Sequence, residues 1–450
     1  MSYPGSQDTI AAIATPPGRG GVGIVRIAGP RVRDIARALL SSIPPPRYAK
    51  YGQFLGENAQ ILDEGLALFF PAPHSFTGDD ILELQGHGGP VVMHLILQRA
   101  CALGARLAKP GEFSQRAFFN GKLDLAQAEA VADLINSTTD AAARSALRSL
   151  QGEFSKRVRG LVDAAVALRM YVEAAIDFPE EEIDFLADAQ VQIRVSLLQQ
   201  NIENIVREAQ QGVVLNDGMQ VVILGQPNAG KSSLLNCLAG RDSAIVTDIP
   251  GTTRDVLREQ IQIDGMPLHI IDTAGVREGA DIIEQEGIRR AWAEVARADR
   301  VLLLVDDVSG ISAAERAMLR DVPADVAASI VFNKIDKSGR APGIGVWEGY
   351  ASVAIAAKTG LGIEALREHL KNAMGYQGEG EFLARRRHLD ALQRARAALM
   401  RGVDALRSAR AGDLLAEELR IMQAALNEIT GEFDNEALLD KIFSSFCIGK

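Results

Sequence analysis

The chain has 450 residues, of which 47% are hydrophobic, and it carries a formal net charge of −10. At about 150 residues per domain, this length accommodates three domains, each with a substantial core. Because the chain is acidic, it lacks the basic surface that strong nonspecific nucleic-acid binding requires, so any RNA contact has to be local, transient or shared with a partner.

The cysteines and the apolar runs bear on cellular location. Cys101, Cys237 and Cys447 are far apart and match no zinc-binding spacing, which is typical of a reducing compartment. The first residues lack the basic segment of a signal peptide, and no apolar run approaches the ~18 residues of a membrane span. We therefore expect a cytoplasmic protein that does not cross a membrane.

Residues 1–121 have the pattern of an α/β domain. Strands are predicted near 9–14, 22–28, 51–55, 65–70 and 81–87, and helices near 31–40 and 94–103. The glycine-rich turn at 16–21 joins two strands and contains no Gly-Lys-Ser, so it is not a phosphate-binding loop. His87 lies in another glycine-rich turn, and we favour a turn residue over a catalytic base there.

Residues 122–212 form the first part of a helical domain. Apolar residues between Leu123 and Ile135 recur at helical spacing, and one long helix is predicted from Asp140 to about Ile176. Pro179 ends that helix, and another spans about 189–211. The acidic segment 177–184 is either a divalent metal site or a solvated loop, and we favour the loop.

Residues 217–375 are predicted to form a domain that is inserted between two helical segments. A linker at 212–218 leads into it, and residues 376–450 return to a helical pattern with helices near 381–409, 413–428 and 435–443. Because both ends of the insertion join one helical body, a movement of the inserted domain can be passed to that body as rigid-body motion.

A phosphate-binding loop begins the inserted domain. Strand residues Val221–Leu224 precede Gly225–Ser232, which fits G-x-x-x-x-G-K-[ST], and a helix follows. Glycines allow backbone N–H groups to turn toward an anion, and the helix N-terminus adds partial positive charge. Lys231 then reaches the β- and γ-phosphates, while the Ser232 hydroxyl ligates Mg²⁺.

Three further motifs follow in the order that a GTPase requires. Residues 247–255 form a loop whose threonine can complete the Mg²⁺ shell. A strand ends at Asp272, which can reach Mg²⁺ through water, and Gly275 can offer its N–H to the γ-phosphate. Another strand leads to Asp336, whose carboxylate accepts from guanine N1–H and the 2-amino group. Adenine lacks both donors, so the motifs specify GTP rather than ATP, and residues 217–375 are predicted to be a G domain.

Two features of catalysis stay open on the residues alone. Val276 occupies the position where Ras-like switches have a glutamine that orients the attacking water. Spacing does not distinguish four acidic candidates for that role: Glu278, Asp281, Glu284 and Glu286. Asn228 either ligates a monovalent cation near the phosphates or merely stabilises the turn.

Six segments together carry a resemblance to the TrmE/MnmE-type tRNA-modification GTPases. The segments are 15–23 (TPPGRGGVG), 75–80 (SFTGDD), 83–89 (ELQGHGG), 110–114 (PGEFS), 120–129 (NGKLDLAQAE) and 446–450 (FCIGK). The resemblance covers essentially the whole chain. It implies an N-terminal α/β tetrahydrofolate-binding and dimerising domain, a helical domain, and an inserted Ras-like P-loop G domain.

For the N-terminal domain, the resemblance implies contacts with 5-formyl- or methylene-tetrahydrofolate, which supplies the one-carbon unit. The matching positions are Arg26, Glu83, Lys122 and Lys450. An arginine and a lysine can pair with the folate carboxylates, and a glutamate can accept from the pterin amino and ring N–H groups. The resemblance places Cys447 near this site, with either a chemical or a structural role.

For the G domain, the resemblance makes Glu284 the residue that positions water. It assigns Mg²⁺ to Ser232 and Thr253, and K⁺ to Asn228, Thr247, Ile249 and Thr252. It also implies that two G domains dimerise when K⁺ and GTP are bound. The predicted nucleotide-binding residues are Asn228, Ala229, Gly230, Lys231, Ser232, Ser233, Thr247, Asp248, Ile249, Pro250, Gly251, Thr252, Thr253, Asp272, Thr273, Ala274, Gly275, Asn333, Lys334, Asp336, Ala356, Ala357 and Lys358.

The resemblance also implies partners. A homodimer joins a separate FAD-dependent protein of the MnmG/GidA type in a heterotetramer, and the complex adds an aminomethyl or carboxymethylaminomethyl group to carbon 5 of the wobble uridine of a transiently bound tRNA. Two positions depart from the family pattern. Ala356 stands where serine is usual, and Gln226 where arginine is common. We expect lower nucleotide affinity at most from the first and little effect from the second.

A GTP-dependent ribosome-maturation factor is the competing hypothesis, since its GTPase motifs would look the same. Such factors typically carry an appended RNA-binding domain, whereas the regions that flank this G domain are helical and the chain is acidic. GTP-dependent co-sedimentation with ribosomal subunits would favour this alternative.

Overall fold

The structure is a computed structural model that describes residues 8–177, 189–239, 258–272, 292–378, 380–409, 411–432 and 436–449. The chain divides into two compact units. The first comprises residues 1–132, 150–162 and 424–450, and the second comprises residues 133–149 and 163–423. Within the described ranges, no helix combines the length and the apolar character needed to cross a bilayer.

A six-stranded sheet forms the centre of the first unit. Its order is β3-β4-β5-β2-β1-β6, and only the β1–β6 pair is parallel. One face is buried under helices α1 and α2, because alternate residues of each strand are apolar, as with Val25 and Ile27. The bounds are β1 Ile10–Ile13, β2 Gly20–Ala28, β3 Lys50–Leu55, β4 Ile61–Phe70, β5 Ile81–Gly88, β6 Arg106–Leu107, α1 Val32–Leu40 and α2 Pro90–Ala102.

The sequence prediction missed helix α3, which spans Glu112–Phe119. Gly111 precedes it in a left-handed conformation, and its N–H donates to the Cys447 carbonyl at 3.3 Å. A side chain at this glycine would press on the Phe443 carbonyl and on Phe446. Several buried residues of α3 are polar, which hides the apolar periodicity that would have revealed the helix.

The buried Glu112 at the start of α3 leads to a prediction about stability. Its carboxylate accepts from Arg106 at 2.6 and 2.9 Å, from the Lys109 N–H at 2.8 Å and from Arg116 at 3.3 Å. We expect Glu112→Gln to destabilise the protein by about 3 kcal/mol, since it removes the buried negative charge that Arg106 and Arg116 share. The urea midpoint at pH 7 measures this loss, and the exposed Glu57→Gln is the control.

The pH dependence of this effect follows from the pKa of Glu112. Burial raises that pKa, but the hydrogen bonds from Arg106 and the Lys109 N–H outweigh burial, so the folded pKa is lowered. Because the pKa of Glu112 is lower in the folded state, its ionised carboxylate stabilises the fold at pH values above the unfolded pKa of about 4.5. This stabilisation disappears as the pH falls through the folded pKa. An unchanged urea midpoint at pH 7 would contradict the structural role of Glu112.

The helices outside the two sheets differ from prediction at three places. The predicted single helix from Asp140 is wrong: it is two helices, broken at Gly152, which has φ +92°. The predicted linker at 212–218 is wrong as well, because the helix continues to Asp217 with Leu215 buried. The helix predicted from 381 begins only at Arg386. The bounds are α4 Leu125–Asn136, α5 Asp140–Leu150, α6 Glu153–Asp177, α7 Ala189–Asp217, α12 Arg386–Ala409, α13 Gly412–Thr430 and α14 Glu436–Ser444.

A seven-stranded sheet forms the centre of the second unit, in the order β12-β13-β11-β10-β7-β9-β8. The five central strands are parallel and the two edge strands are antiparallel. The sequences of the central strands are nearly continuous apolar runs, because both faces of these strands are covered. The bounds are β7 Met219–Leu224, β8 Arg258–Ile263, β9 Met266–Asp272, β10 Arg300–Asp306, β11 Ala327–Asn333, β12 Gly343–Trp347, β13 Tyr350–Ala354, α8 Lys231–Ala239, α9 Ala313–Asp321, α10 Ile335–Ser338 and α11 Ile363–Ala373.

Candidate functional site

The phosphate-binding loop has the backbone that its motif predicts. It runs from the end of β7 to the start of α8, and Gly225, Asn228 and Gly230 have φ values of +149°, +66° and +104°. A Cβ at Gly225 would clash with the Leu304 carbonyl, so this position requires glycine for space as well as for its φ. Positive φ values turn successive N–H groups to one side, which makes a concave anion site.

This loop and the first turn of α8 carry a lysine ammonium group and exposed polar side chains. Lys231 donates from Nζ to the Gly225 carbonyl at 2.7 Å, so the ammonium group lies over the loop. Ser232 and Ser233 are exposed in the first turn of α8, where the helix dipole favours anions. Asn228 is exposed at the tip of the loop in a left-handed conformation, which asparagine tolerates well.

Asn333 connects the phosphate loop to the predicted guanine-binding region. Its Nδ2 donates to the Ala229 carbonyl at 2.8 Å, and its Oδ1 accepts from the Ala357 N–H at 2.9 Å. The side chain is buried, with 3% of the residue exposed. A Cβ at Gly230 would clash with Nδ2, so the glycine leaves room for this bridge. One amide thus aligns two loops that are over one hundred residues apart in sequence.

The guanine-binding motif is held by a partner that sequence reasoning missed. Lys334 has φ +67°, and its Nζ pairs with Asp306 Oδ2 at 2.6 Å. The hydrogen bond from Lys334 is the main cause that lowers the pKa of Asp306, so this carboxylate stays ionised. Asp306 ends strand β10, beside the end of β11, and carboxyl ends of neighbouring parallel strands meet at one edge. That position was the signal available in the sequence.

Asp336 lies in the short helix α10 and is exposed to the solvent. The preceding Ile335 is buried and anchors the turn, with its N–H donating to the Ile355 carbonyl at 3.2 Å. The last motif, 356–358, follows β13. Ala356 is buried, and its N–H donates to the Leu361 carbonyl at 2.8 Å, whereas Lys358 is exposed. The backbone therefore holds this loop without a serine hydroxyl at 356.

Several predicted site residues lie outside the described part of the chain. These are Thr247, Asp248, Ile249, Pro250, Gly251, Thr252, Thr253, Thr273, Ala274, Gly275, Glu284 and Lys450. The backbone of Asp272 is described and pairs with Ile223 of β7. Strand β9 therefore ends next to the strand that leads into the phosphate loop.

The first unit brings Arg26 and Glu83 together on the less covered face of its sheet. The two residues are direct partners across β2 and β5, and Arg26 Nε donates to Glu83 Oε1 at 2.9 Å. Arg26 also donates to the Gly449 carbonyl at 3.2 Å and lies 5.8 Å from the Phe76 ring centroid. The C-terminal segment thus reaches this pair, although Arg26 is 423 positions from Gly449 in the sequence.

Lys122 is exposed just beyond α3. The neighbouring Asn120 donates from Nδ2 to the Thr77 carbonyl at 2.7 Å, which ties this turn to the loop that carries Phe76. The structure therefore connects Lys122 to the Arg26–Glu83 pair through one loop, and it does not show a direct contact between them.

Comparison with known proteins identifies the family. A model described as the MnmE helical domain matches residues 125–447, and one described as the GTP-binding protein TrmE N-terminus matches residues 9–122. The tRNA modification GTPase MnmE of Chromohalobacter salexigens is 60% identical over 99% of this chain and 98% of its own length. The proteins of the same name from Marinobacter nauticus and Vibrio cholerae are 58% and 56% identical, each over 99% of this chain and at least 99% of its own length.

Solved structures match smaller parts. The G domain of the Thermotoga maritima FeoB iron transporter covers 34% of this chain and 98% of its own, at 23% identity and a TM-score of 0.27. The fold assignment rests instead on the seven-stranded sheet, the phosphate loop that follows β7 and the guanine motif that follows β11. The family models and the full-length relatives of high identity show that the chain belongs to the MnmE family of tRNA modification GTPases.

Proposed function

We propose that this protein is a K⁺-activated GTPase that modifies carbon 5 of the wobble uridine of tRNA together with an FAD-dependent partner of the MnmG/GidA type. A one-carbon tetrahydrofolate supplies the carbon, and the protein works in the cytoplasm as a homodimer. The observation that carries the GTPase half is the Asn333 bridge, which holds a phosphate loop and a guanine-binding region in one rigid arrangement. Family membership over the whole chain supports the rest.

Mg²⁺ and the phosphates fit the residues at the start of α8. The Ser232 hydroxyl is exposed beside Lys231, and a hydroxyl oxygen is a suitable ligand for this hard cation. A phosphate oxygen would compete with the Gly225 carbonyl for the Lys231 ammonium group. Thr253 is the second proposed Mg²⁺ ligand. The cation would offset the charge that develops on the phosphates during hydrolysis.

A folate fits the donor set of the Arg26–Glu83 pair. Glu83 offers carboxylate oxygens to N–H groups, and Arg26 can pair with an anionic group. Both side chains are about one-fifth exposed, so a ligand can reach them, and the partly exposed ring of Phe76 offers an aromatic surface beside them. We propose Lys122 and Lys450 as further contacts, and the one-carbon unit is the chemistry that the bound folate supplies.

K⁺ stimulation is the direct test of the proposed GTPase mechanism. We expect GTP turnover to be at least about tenfold faster in KCl than in NaCl at equal ionic strength, because a K⁺ held by Asn228 would stabilise the developing charge by about 1.4 kcal/mol or more. Steady-state phosphate release measures this ratio. Analytical ultracentrifugation with a GTP analogue in each salt reports whether K⁺ also promotes association.

The control variants separate cation binding from turn geometry. Asn228→Gly keeps the left-handed backbone and removes the amide oxygen, so we expect slow turnover in both salts. Gln226→Ala, in the same loop, should behave like the unchanged protein. Equal and slow rates in both salts for the unchanged protein would mean that Asn228 is only a turn residue.

A further inference from the structure

His87 and Asp63 form an oriented pair that the proposed function does not use. Asp63 Oδ2 accepts from the His87 backbone N–H at 2.7 Å, and Asp63 Oδ1 lies 2.7 Å from His87 Nδ1. The Asp63 side chain is 9% exposed, whereas the His87 side chain is 74% exposed. A buried carboxylate therefore holds an exposed imidazole through two contacts, which fixes the direction of the ring.

The protonation state of Asp63 determines which ring nitrogen is available. Burial raises the pKa of Asp63, but the hydrogen bonds from the His87 side chain and backbone outweigh burial, and the pKa is lowered. The ionised carboxylate can only accept, so Nδ1 carries the hydrogen and donates it. Nε2 then bears the lone pair of the neutral ring, and it has no partner among the described residues.

The backbone around the pair is shaped to admit the carboxylate. A Cβ at Gly86 would clash with Asp63 Oδ2, so only glycine allows Asp63 to reach the His87 N–H. A Cβ at Gly88 would lie 2.7 Å from the carbonyls of Gly20 and Val22. An ordinary strand-to-helix turn requires neither a buried aspartate nor an imidazole. The glycines that suggested a simple turn therefore also serve this pair.

His87 lies on the same face of the sheet as the proposed folate-binding residues. Successive side chains of a strand alternate, so Glu83, Gln85 and His87 share one face of β5, opposite Arg26 of β2. Glu83 and His87 are four residues apart, which separates their Cα atoms by about 13 Å. An extended ligand that is read by Arg26 and Glu83 at one end can therefore reach the imidazole further along the strand.

We propose that the Asp63–His87 pair is a proton-transfer site for the ligand that binds along β2 and β5. This inference rests on the proposed folate function and assigns a new role within it. When Nε2 accepts a proton from the ligand, its lone pair forms the new N–H bond, and the ligand's bond to that hydrogen breaks and leaves its electron pair on the ligand atom. The positive ring then faces Asp63 through the Nδ1 hydrogen bond. Returning the proton restores the neutral ring, so the step requires no oxidant or reductant.

The neighbouring charged side chains Glu64 on β4 and Arg26 on β2 already have partners. Glu64, next to Asp63 on β4, accepts from Gln53 at 2.8 Å and from Tyr51 at 2.9 Å, both on β3. Both hydrogen bonds lower the pKa of Glu64, and the one from Gln53 has the larger effect, so the carboxylate stays ionised near neutral pH. On β2, Arg26 is paired with Glu83. Arg19, in the loop before β2, is exposed. Among the described residues of this part of the sheet face, His87 therefore offers an exposed ring nitrogen, Nε2, on a ring that Asp63 orients.

Calorimetry of 5-formyl-tetrahydrofolate binding tests the proposal without requiring turnover. Titrations in two buffers of different ionisation enthalpy, between pH 6 and 8, report the protons exchanged on binding. We expect a pH-dependent proton exchange in the unchanged protein that is absent in His87→Gln. His94→Gln is the matched control, since His94 is an exposed histidine of the neighbouring helix α2, and it should retain the exchange.

Wobble-uridine modification with the FAD-dependent partner supplies the second readout. We expect His87→Ala to form product about 10²-fold more slowly, with GTP turnover unchanged, and added imidazole to restore part of the rate. Asp63→Asn should also slow the reaction without affecting GTP turnover. Folate binding by the unchanged protein, with the same proton exchange in His87→Gln, would overturn this proposal alone. Failure of the unchanged protein to bind any folate would overturn the folate assignment and this proposal with it.

Discussion

Asp336→Asn is expected to weaken GTP binding by about 10²–10³-fold and to admit xanthine nucleotides. In the predicted guanine site, the Asp336 carboxylate would accept from guanine N1–H and the 2-amino group, and hydrogen bonds to charged groups contribute about 1.5–3 kcal/mol each. An asparagine amide presents a donor where guanine also has one, whereas xanthine offers a carbonyl oxygen in place of the amino group. In titrations with fluorescent analogues, we therefore expect the affinity for the guanine nucleotide to fall and the affinity for the xanthine nucleotide to rise.

The Asp336→Asn substitution should leave the surrounding structure unchanged. The side chain is exposed, and the turn that carries it is held by the buried Ile335 and by the Lys334–Asp306 ion pair, none of which the substitution alters. Asp321→Asn, at an exposed position that ends helix α9, is the control and should leave both affinities unchanged. Retained GTP affinity in the Asp336 variant would remove this residue from the guanine site.

Glu284→Ala is expected to keep GTP affinity and to lose about 10²-fold or more in hydrolysis rate. Removing one well-placed group that orients the attacking water typically costs this much, and Val276 cannot replace it. Strand β9 ends at Asp272 beside β7, so the chain enters the segment that contains Glu284 at the edge of the sheet where the phosphate loop begins. Single-turnover phosphate release in KCl measures the rate, and nucleotide titration measures the affinity.

Three rival residues supply the comparison for this prediction. Glu278→Ala, Asp281→Ala and Glu286→Ala change the same segment, and each should keep most of the activity. If Glu284→Ala turned over at the normal rate and one of these three did not, the water-positioning role would pass to that residue. Glu284→Gln adds a further distinction, because it can still orient water by hydrogen bonding but cannot accept a proton.

Motifs with local physical requirements could be predicted from the sequence. The phosphate loop needs glycines at defined offsets between a strand and a helix, and the structure has β7 and α8 on its two sides. The boundaries of elements were less predictable where burial overrides local preference. The helix that continues through Gly212 is an example: a Cβ there would lie 2.7 Å from the Phe382 carbonyl, so the glycine serves close packing and does not mark a linker.

Long-range partners could not be predicted because no local pattern encodes them. The Asp63–His87 pair spans 24 residues, the Asp306–Lys334 pair 28, and the Arg26 contact with Gly449 spans 423. Each of these depends on which strands become neighbours and on the register between them. A glutamate or arginine read alone is an ordinary surface charge until the sheet places its partner opposite.

The sequence by itself determined the class of the protein: a guanine-nucleotide-binding domain between helical segments, after an α/β domain, because its motifs are short, contiguous and physically constrained. Only the tertiary structure decided which side chains hold those motifs in place. Asn333 bridges two loops, Asp306 aligns Lys334, and Asp63 orients His87, since these contacts form between strands that the fold brings together. Tertiary packing therefore specifies the partners, while local sequence specifies the loops that they hold.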